Sequence, residues 1–440
     1  MSALLIRGGS ILTMDDAGTI VHGDVSVRDG RIVAVGEAAP GPHDTVIDAS
    51  ACLVLPGFVQ THIHLCQTLF RGYADDLALI DWLRQRIWPM EAAHTPASLR
   101  ASARLAACEL LATGTTTVLT METVHDTDVV FETIAETGLR AVIGKCMMDA
   151  DAAVPPRLLE ATRASIDESL ALSRRWDGAA NGRLRAAFAP RFALSCSRDL
   201  LEEVGTLSAH HGTLVHTHAS EQRAEIAIVE QLTGRRNLQY FADIGLASER
   251  LCVAHCVWVD EREQEILATR RVKVAHCPSS NLKLGSGLAP VTELRARGVS
   301  VSLGADGAAC NNRLDMFEEM RLAAVLQAVR LHPGALPARD VVWMATREGA
   351  RALGLEAEIG SLEVGKRADL IVVGLDQPHL APGPDPYSTL VYAARGTDVR
   401  ATIVDGEVLV RDGRPERFDP AAIAAEARDE ARRLAQRAGV

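Results

Sequence analysis

The sequence predicts an α/β protein: a TIM-like (β/α)8 barrel carrying a small β-sandwich assembled from both chain ends. Three observations lead there. Eight short apolar, β-branched runs alternate with segments whose apolar residues recur at helical spacing. Strands alternating with helices imply a parallel sheet, and eight such units are what a closed barrel requires. Both ends of the 440-residue chain read instead as short strands with tight turns. Finally, four of the runs close on a polar constellation, at the strand ends where a parallel barrel carries its chemistry.

The elements follow in chain order. Residues 1–56 contain Leu4-Leu5-Ile6-Arg7-Gly8-Gly9 and then Asp24 to Val35, a hairpin pattern turning at Asp29-Gly30. Residues 57–358 are assigned to the barrel. Its strand candidates are Val54–His64 (read as one buried strand), Thr115–Thr120, Arg140–Cys146 and Arg185–Arg191, then Thr213–His218, Leu251–His255, Val272–His276 and Val299–Asp306. Between them, stretches such as Leu99–Thr113 and Leu200–His211 place apolar residues on one helical face. Residues 359–440 return to strands at Ala368–Val373 and Ala401–Val410, and end in a peripheral helix, Pro420–Ala438, rich in Ala, Glu and Arg.

Composition narrows the function. A net charge of -11 argues against a nucleic-acid groove or an anionic membrane surface as partner, and 4% aromatics leave little for base stacking. The opening Met1-Ser2-Ala3-Leu4-Leu5-Ile6-Arg7 lacks the long apolar segment of a signal peptide, and no apolar window is long enough to span a bilayer. Nine scattered cysteines with no Cys-x-x-Cys pair read as reduced thiols of a cytoplasmic protein. Cys256 and Cys277 follow strand histidines but read as small buried apolar residues.

The chemistry is carried by His62-Ile63-His64, His218-Ala219-Ser220-Glu221, Ala254-His255-Cys256 and Gly304-Ala305-Asp306. Alternate residues on a strand share a face, so His62 and His64 can grip one ion. With His218 and Asp306 they supply three neutral nitrogens and a carboxylate, a ligand set for one divalent metal with a position left for water. Zn²⁺ is the first choice and Fe²⁺ is also compatible. Such an ion lowers the pKa of a coordinated water from about 16 to roughly 7. Glu221 lies three residues beyond His218 and is expected to protonate the substrate. His255 can orient the nucleophile, and Asp306 can both bind the metal and shuttle its proton.

With these motifs the chain resembles the amidohydrolase superfamily, in the branch of aminohydrolases that deaminate purines and related heterocycles. The likeness runs from Pro56-Gly57-Phe58 to Gly360-Ser361-Leu362-Glu363-Val364-Gly365-Lys366-Arg367-Ala368-Asp369. It implies His62, His64, His218 and Asp306 as metal ligands, Glu221, His255 and Asp306 as the proton-moving residues, and a homo-oligomer. Relatives with two metals carry a carboxylated lysine at the end of the fourth strand. Here that place holds Ala189-Pro190-Arg191-Phe192, and Lys145 on the third strand reads as structural, so one metal is expected. The Pro-Cys-x-x-Cys ligation of the other zinc deaminases is absent from the sequence.

For the substrate, Gln67 and Arg191 are expected to reach the cavity mouth, where an amide and a guanidinium fork suit a ring with a carbonyl beside nitrogens. A salt bridge to a neighbouring carboxylate is the competing reading of Arg191. The segment Ala189–Ser197 is similar to one in guanine deaminases, in which Phe192 packs on the ring and Gln67 supplies an amide contact. The segments Leu69–Asp76, Asn281–Gly285 and Asp306–Asn312 are similar instead to deaminases of S-adenosylhomocysteine, methylthioadenosine and 5'-deoxyadenosine, and to triazine hydrolases. Glu91 could hold ribose hydroxyls in such enzymes, but guanine deaminases also carry a glutamate in the matching segment; the adenosine-type relatives carry histidine where this chain has Arg191. The sequence therefore favours a small 2-amino-4-oxo heterocycle, guanine first and a pterin next, with adenosine-type and triazine substrates as alternatives. A non-catalytic scaffold is disfavoured, because every metal and catalytic position is filled.

Overall fold

Gly57 divides the run that reads in sequence as one strand. The computed structural model describes residues 3–150 and 154–440, so Met1 and Ser2 of the opening segment lie outside the described residues. The amino-terminal part contributes β1 (Ala3–Leu12), β2 (Ile20–Arg28), β3 (Arg31–Gly36), β4 (Thr45–Asp48) and β5 (Cys52–Pro56). One residue later begins β6 (Phe58–Ile63), the first barrel strand. The single strand expected over Val54–His64 is thus two strands in two sheets. The cause is steric: a Cβ on Gly57 would lie 2.1 Å from Thr116 Cγ2, so only glycine lets the chain cross there.

The barrel continues through β7 (Thr115–Met121), β8 (Arg140–Met147), β9 (Leu184–Pro190), β10 (Val215–Ala219), β11 (Leu251–His255), β12 (Lys273–His276) and β13 (Val301–Leu303). All eight strands pair in parallel, in sequence order from β6 to β13. No regular ladder joins β13 to β6. Instead, Asp306 N–H donates to His62 O (3.0 Å), Thr61 Oγ1 donates to Leu303 O (3.1 Å), and Ala305 N–H donates to Gln60 Oε1 (3.3 Å). Gly304 makes this approach possible, since a Cβ there would stand 2.7 Å from His62 O and 2.8 Å from His62 N.

The second layer is one mixed sheet from both chain ends, ordered β17-β16-β15-β14-β5-β1-β2-β3, with β4 also pairing β1. Its carboxy-terminal members are β14 (Leu370–Gly374), β15 (Val399–Val404), β16 (Glu407–Arg411) and β17 (Arg414–Pro415). This sheet meets the barrel at the amino ends of its first strands. Gly57 N–H donates to Asp369 O at 3.1 Å. Arg140, the first residue of β8, donates from Nε (2.6 Å) and Nη2 (3.0 Å) to the Asp369 carboxylate, and both residues are buried. A bidentate pair of this kind fixes relative orientation as well as proximity. The helix Pro420–Ala438 packs against the helix Pro96–Ala112, as an amphipathic terminal helix should.

Closure through Gly304 leads to a direct expectation. Gly304→Ala drives a methyl group into the His62 backbone and should lower unfolding stability by about 1–3 kcal/mol, the usual scale of overpacking. Urea unfolding measures this, and a wild-type midpoint would contradict this account of how the barrel closes.

Candidate active site

The carboxyl ends of the barrel strands bring His62, His64, Glu221, His255 and Asp306, all buried, together with the half-buried His218 into one cluster. Backbone strain helps to aim them. Ser220, His255 and Asp306 have φ of 54°, 75° and 60°, the left-handed region that residues with a side chain rarely enter. Each marks a strand end that turns sharply, and such strain persists where surrounding structure enforces it.

The geometry of the cluster is that of a cation site. His62 Nε2 lies 3.2 Å and His64 Nε2 3.3 Å from Asp306 Oδ1, while His218 Nε2 lies 3.3 Å from His64 Nε2. His64 Nδ1 is 2.8 Å from Met121 O, and His218 Nδ1 is 2.7 Å from Arg191 O. A carbonyl only accepts, so in both rings the proton sits on Nδ1 and the Nε2 lone pair faces the centre. His62 Nε2 is buried and makes no hydrogen bond. Acceptors thus converge on an anion, an arrangement that a divalent cation completes. Burial holds the His62 pKa down to about 4, favouring the neutral ligand form. Burial opposes ionisation of Asp306, yet the carboxyl is held well below its ordinary range.

Around this cluster stand the groups that could move protons. His255 Nε2 is 3.6 Å from Glu221 Oε2 and 3.8 Å from Asp306 Oδ2, and its Nδ1 is 2.9 Å from Asn281 Oδ1. Ser286 Oγ donates to Glu221 Oε1 (3.0 Å), which leaves Oε2 toward His255. Burial raises the Glu221 pKa, so its carboxyl keeps a proton more readily than an exposed one. Ser280 Oγ and Gly307 N–H each donate to Asp306 at 2.7 Å. Behind Glu221, Glu225 Oε2 accepts the Glu221 N–H (3.1 Å), and burial pushes the Glu225 pKa up to about 7. Sequence reasoning did not single out His216, Ser280, Asn281, Ser286 or Glu225. His216 carried a signal all the same, because His216-Thr217-His218 repeats the spacing of His62-Ile63-His64.

The cleft above is lined by Gln67, Arg191 and Phe192 and by the apolar Leu79, Trp82, Leu83 and Leu284. Glu91 is not among its lining residues. Instead it receives Arg191 Nη1 (2.5 Å), Arg191 Nη2 (3.2 Å) and Gln67 Nε2 (3.0 Å). The Arg191 fork and the Gln67 amide, expected to meet a ring carbonyl, both turn toward this carboxylate. Burial opposes the Arg191 charge, but Glu91 more than offsets it and keeps the guanidinium fully protonated. Gln67 Oε1 remains buried and without a partner.

Comparison with known proteins agrees with this architecture. The model of the amidohydrolase family matches residues 53–409. The chain is 41% identical to the 5'-deoxyadenosine deaminase of Methanosarcina acetivorans, covering 100% of both chains. It is 43% identical to the 5-methylthioadenosine/S-adenosylhomocysteine deaminase of Halobacterium salinarum, covering 99% of each. Among solved structures, an adenosine deaminase from Xanthomonas campestris with bound zinc superposes with a TM-score of 0.93 at 33% identity over 99% of both chains. The guanine deaminase of E. coli superposes with a TM-score of 0.83 at 28% identity, over 93% of this chain and 100% of that one.

Two outcomes follow from the proton-handling groups. Glu221→Gln keeps size and polarity but cannot relay a proton, so kcat should fall by roughly 10²-fold or more with metal content unchanged. Loss of metal in that variant, measured by elemental analysis, would instead make Glu221 a ligand. Glu225 has a folded pKa above its ordinary 4.5. Its contribution to stability is therefore full below about pH 4.5 and is lost as pH rises through about 7. Glu225→Gln should flatten the dependence of the urea midpoint on pH across that window, and an unaltered slope would refute the assignment.

Proposed function

Since this chain belongs to the amidohydrolase family, we propose that it deaminates an adenosine-type nucleoside with an uncharged, apolar 5' end, such as 5'-deoxyadenosine or methylthioadenosine. As a hydrolase of carbon–nitrogen bonds, it adds water at the amino-bearing ring carbon and releases ammonia. His62, His64, His218 and Asp306 are the residues that would hold a divalent ion, with zinc the choice supported by the adenosine deaminase structure. When bound, that ion supplies an acidified water as nucleophile. Glu221, whose carboxyl keeps its proton more readily for being buried, is the group that donates a proton to the ring nitrogen next to the reacting carbon. Of the two protons the attacking water gives up, one, taken up at Asp306 or His255, would pass to the departing amino group, and the other, lost from the new hydroxyl as the carbonyl forms, would restore the proton on Glu221.

The observation that carries the substrate reading is the convergence of Gln67 and Arg191 on Glu91. Guanine displays a carbonyl and ring nitrogens that need donors, and these two side chains direct theirs elsewhere. This displaces guanine, which the sequence favoured, in favour of the adenosine-type alternative. The remaining wall, Leu79, Trp82, Leu83 and Leu284, suits an apolar group. Among the described residues lining the cleft, Arg191 is the one Lys or Arg and is already paired with Glu91, so no free guanidinium or ammonium there answers the carboxylate of an amino-acid tail.

Ammonia release from 5'-deoxyadenosine, methylthioadenosine, S-adenosylhomocysteine, adenosine and guanine tests this reading. The first two should exceed S-adenosylhomocysteine and guanine in kcat/KM by on the order of 10-fold or more, the scale of an unanswered charge or hydrogen-bonding edge. Guanine as the best substrate would restore the reading drawn from the Ala189–Ser197 segment. Prolonged chelation should abolish turnover and one equivalent of zinc should restore it. Full activity in the metal-free protein would refute the assigned ligands.

A further inference from the structure

His216 is fully buried on β10, two residues before His218, and is not part of the cleft lining. Both of its ring nitrogens are nevertheless engaged. Nδ1 lies 3.1 Å from Cys252 O on the neighbouring strand β11, and Nε2 lies 2.7 Å from His62 Nδ1 on β6, across the barrel interior. The Cys252 carbonyl can only accept, so the His216 proton sits on Nδ1 and its Nε2 is a lone pair. A doubly protonated ring there would be a cation whose bonded partners are a carbonyl and an imidazole, both uncharged, at the full cost of burying a charge. His62 must therefore donate from Nδ1, and its own Nε2 is left unprotonated, facing Asp306 Oδ1 at 3.2 Å without a hydrogen bond.

His64 and His218 have their tautomers set directly by backbone carbonyls. His62 does not. Its neighbour is an ambivalent ring that could equally donate, and the ambiguity is removed one step further away, by Cys252. We propose that His216 is a positioning residue for the metal centre: it passes the polarity of the Cys252 carbonyl to His62 and so fixes the tautomer of one ligand. This rests on the assignment of His62 as a ligand. Groups that orient a metal-binding histidine through its second nitrogen typically change metal affinity by about 10–100-fold when removed.

The test uses the zinc-loaded protein and two variants. His216→Leu keeps an apolar body of similar bulk but removes the acceptor. His216→Gln keeps an oxygen at about the reach of Nε2 and can still accept from His62. By competition with a chromophoric chelator, His216→Leu should weaken zinc binding by roughly 10–100-fold while His216→Gln retains most of the affinity. Equal affinity in wild type and His216→Leu would overturn the proposal. So would a Gln variant as weak as the Leu variant, since packing alone would then account for both. Absence of any zinc affinity in the wild-type protein would overturn the ligand assignment itself, a distinct result. Should His216→Leu fail to fold, ¹⁵N NMR of histidine-labelled, metal-free wild type still decides: His62 protonated on Nδ1 is expected, and His62 protonated on Nε2 refutes the relay.

Discussion

The contact between Gly304 and the backbone of His62 is the constraint on which the rest of the site depends. A barrel whose last strand is three residues long has little ladder with which to close. Closure therefore falls to the segment just beyond β13, where a glycine lies against β6 and Asp306 donates its N–H to His62. The same contact sets Asp306 Oδ1 beside the His62 and His64 Nε2 atoms. Shutting the barrel and assembling the cation site are thus one geometrical event, and the left-handed turn at Asp306 is the conformation that allows both.

Much of this was legible in the sequence, for physical reasons. The apolar runs mark β6 to β13 because a parallel barrel strand is buried on both faces and cannot hide a change of environment. The polar strand ends stand out against those runs, which is why His62, His64, His218, Glu221, His255 and Asp306 could be picked from their spacing alone. That Val54–His64 forms two strands was not legible, because an unbroken apolar run looks the same whether it lies in one sheet or passes between two. The partner of Arg191 was equally hidden: Glu91 is 100 residues away in sequence, and nothing local couples the two. His216 was missed for another reason. It lies inside the run of its strand, and its partner His62 is 154 residues away in sequence.

The cleft shows how one buried ion pair redirects recognition. In isolation, a guanidinium at a strand end is a fork awaiting a carbonyl or a carboxylate. With Glu91 in place it becomes part of the wall, and it also holds in position the amide of Gln67. Breaking such a pair by removing one partner leaves a buried charge, so the three residues are expected to persist or change together. Most of the apolar lining comes from the helical segment Leu79–Ile87, whose second half is π-helical. That irregular geometry recurs at functional sites because it shifts side chains out of ordinary helical register.

The seam formed by Arg140, Asp369 and the Gly57 crossing lies at the opposite end of the barrel from the cleft. The two ends therefore answer to different demands. Residues that clamp the terminal sheet onto the barrel do not line the cleft, and the Leu79–Ile87 segment makes no part of the clamp. A lineage built on this plan can exchange the cleft-facing segment to accept a new ring or side group while the scaffold keeps its stability, so that new specificities arise by small, separable steps.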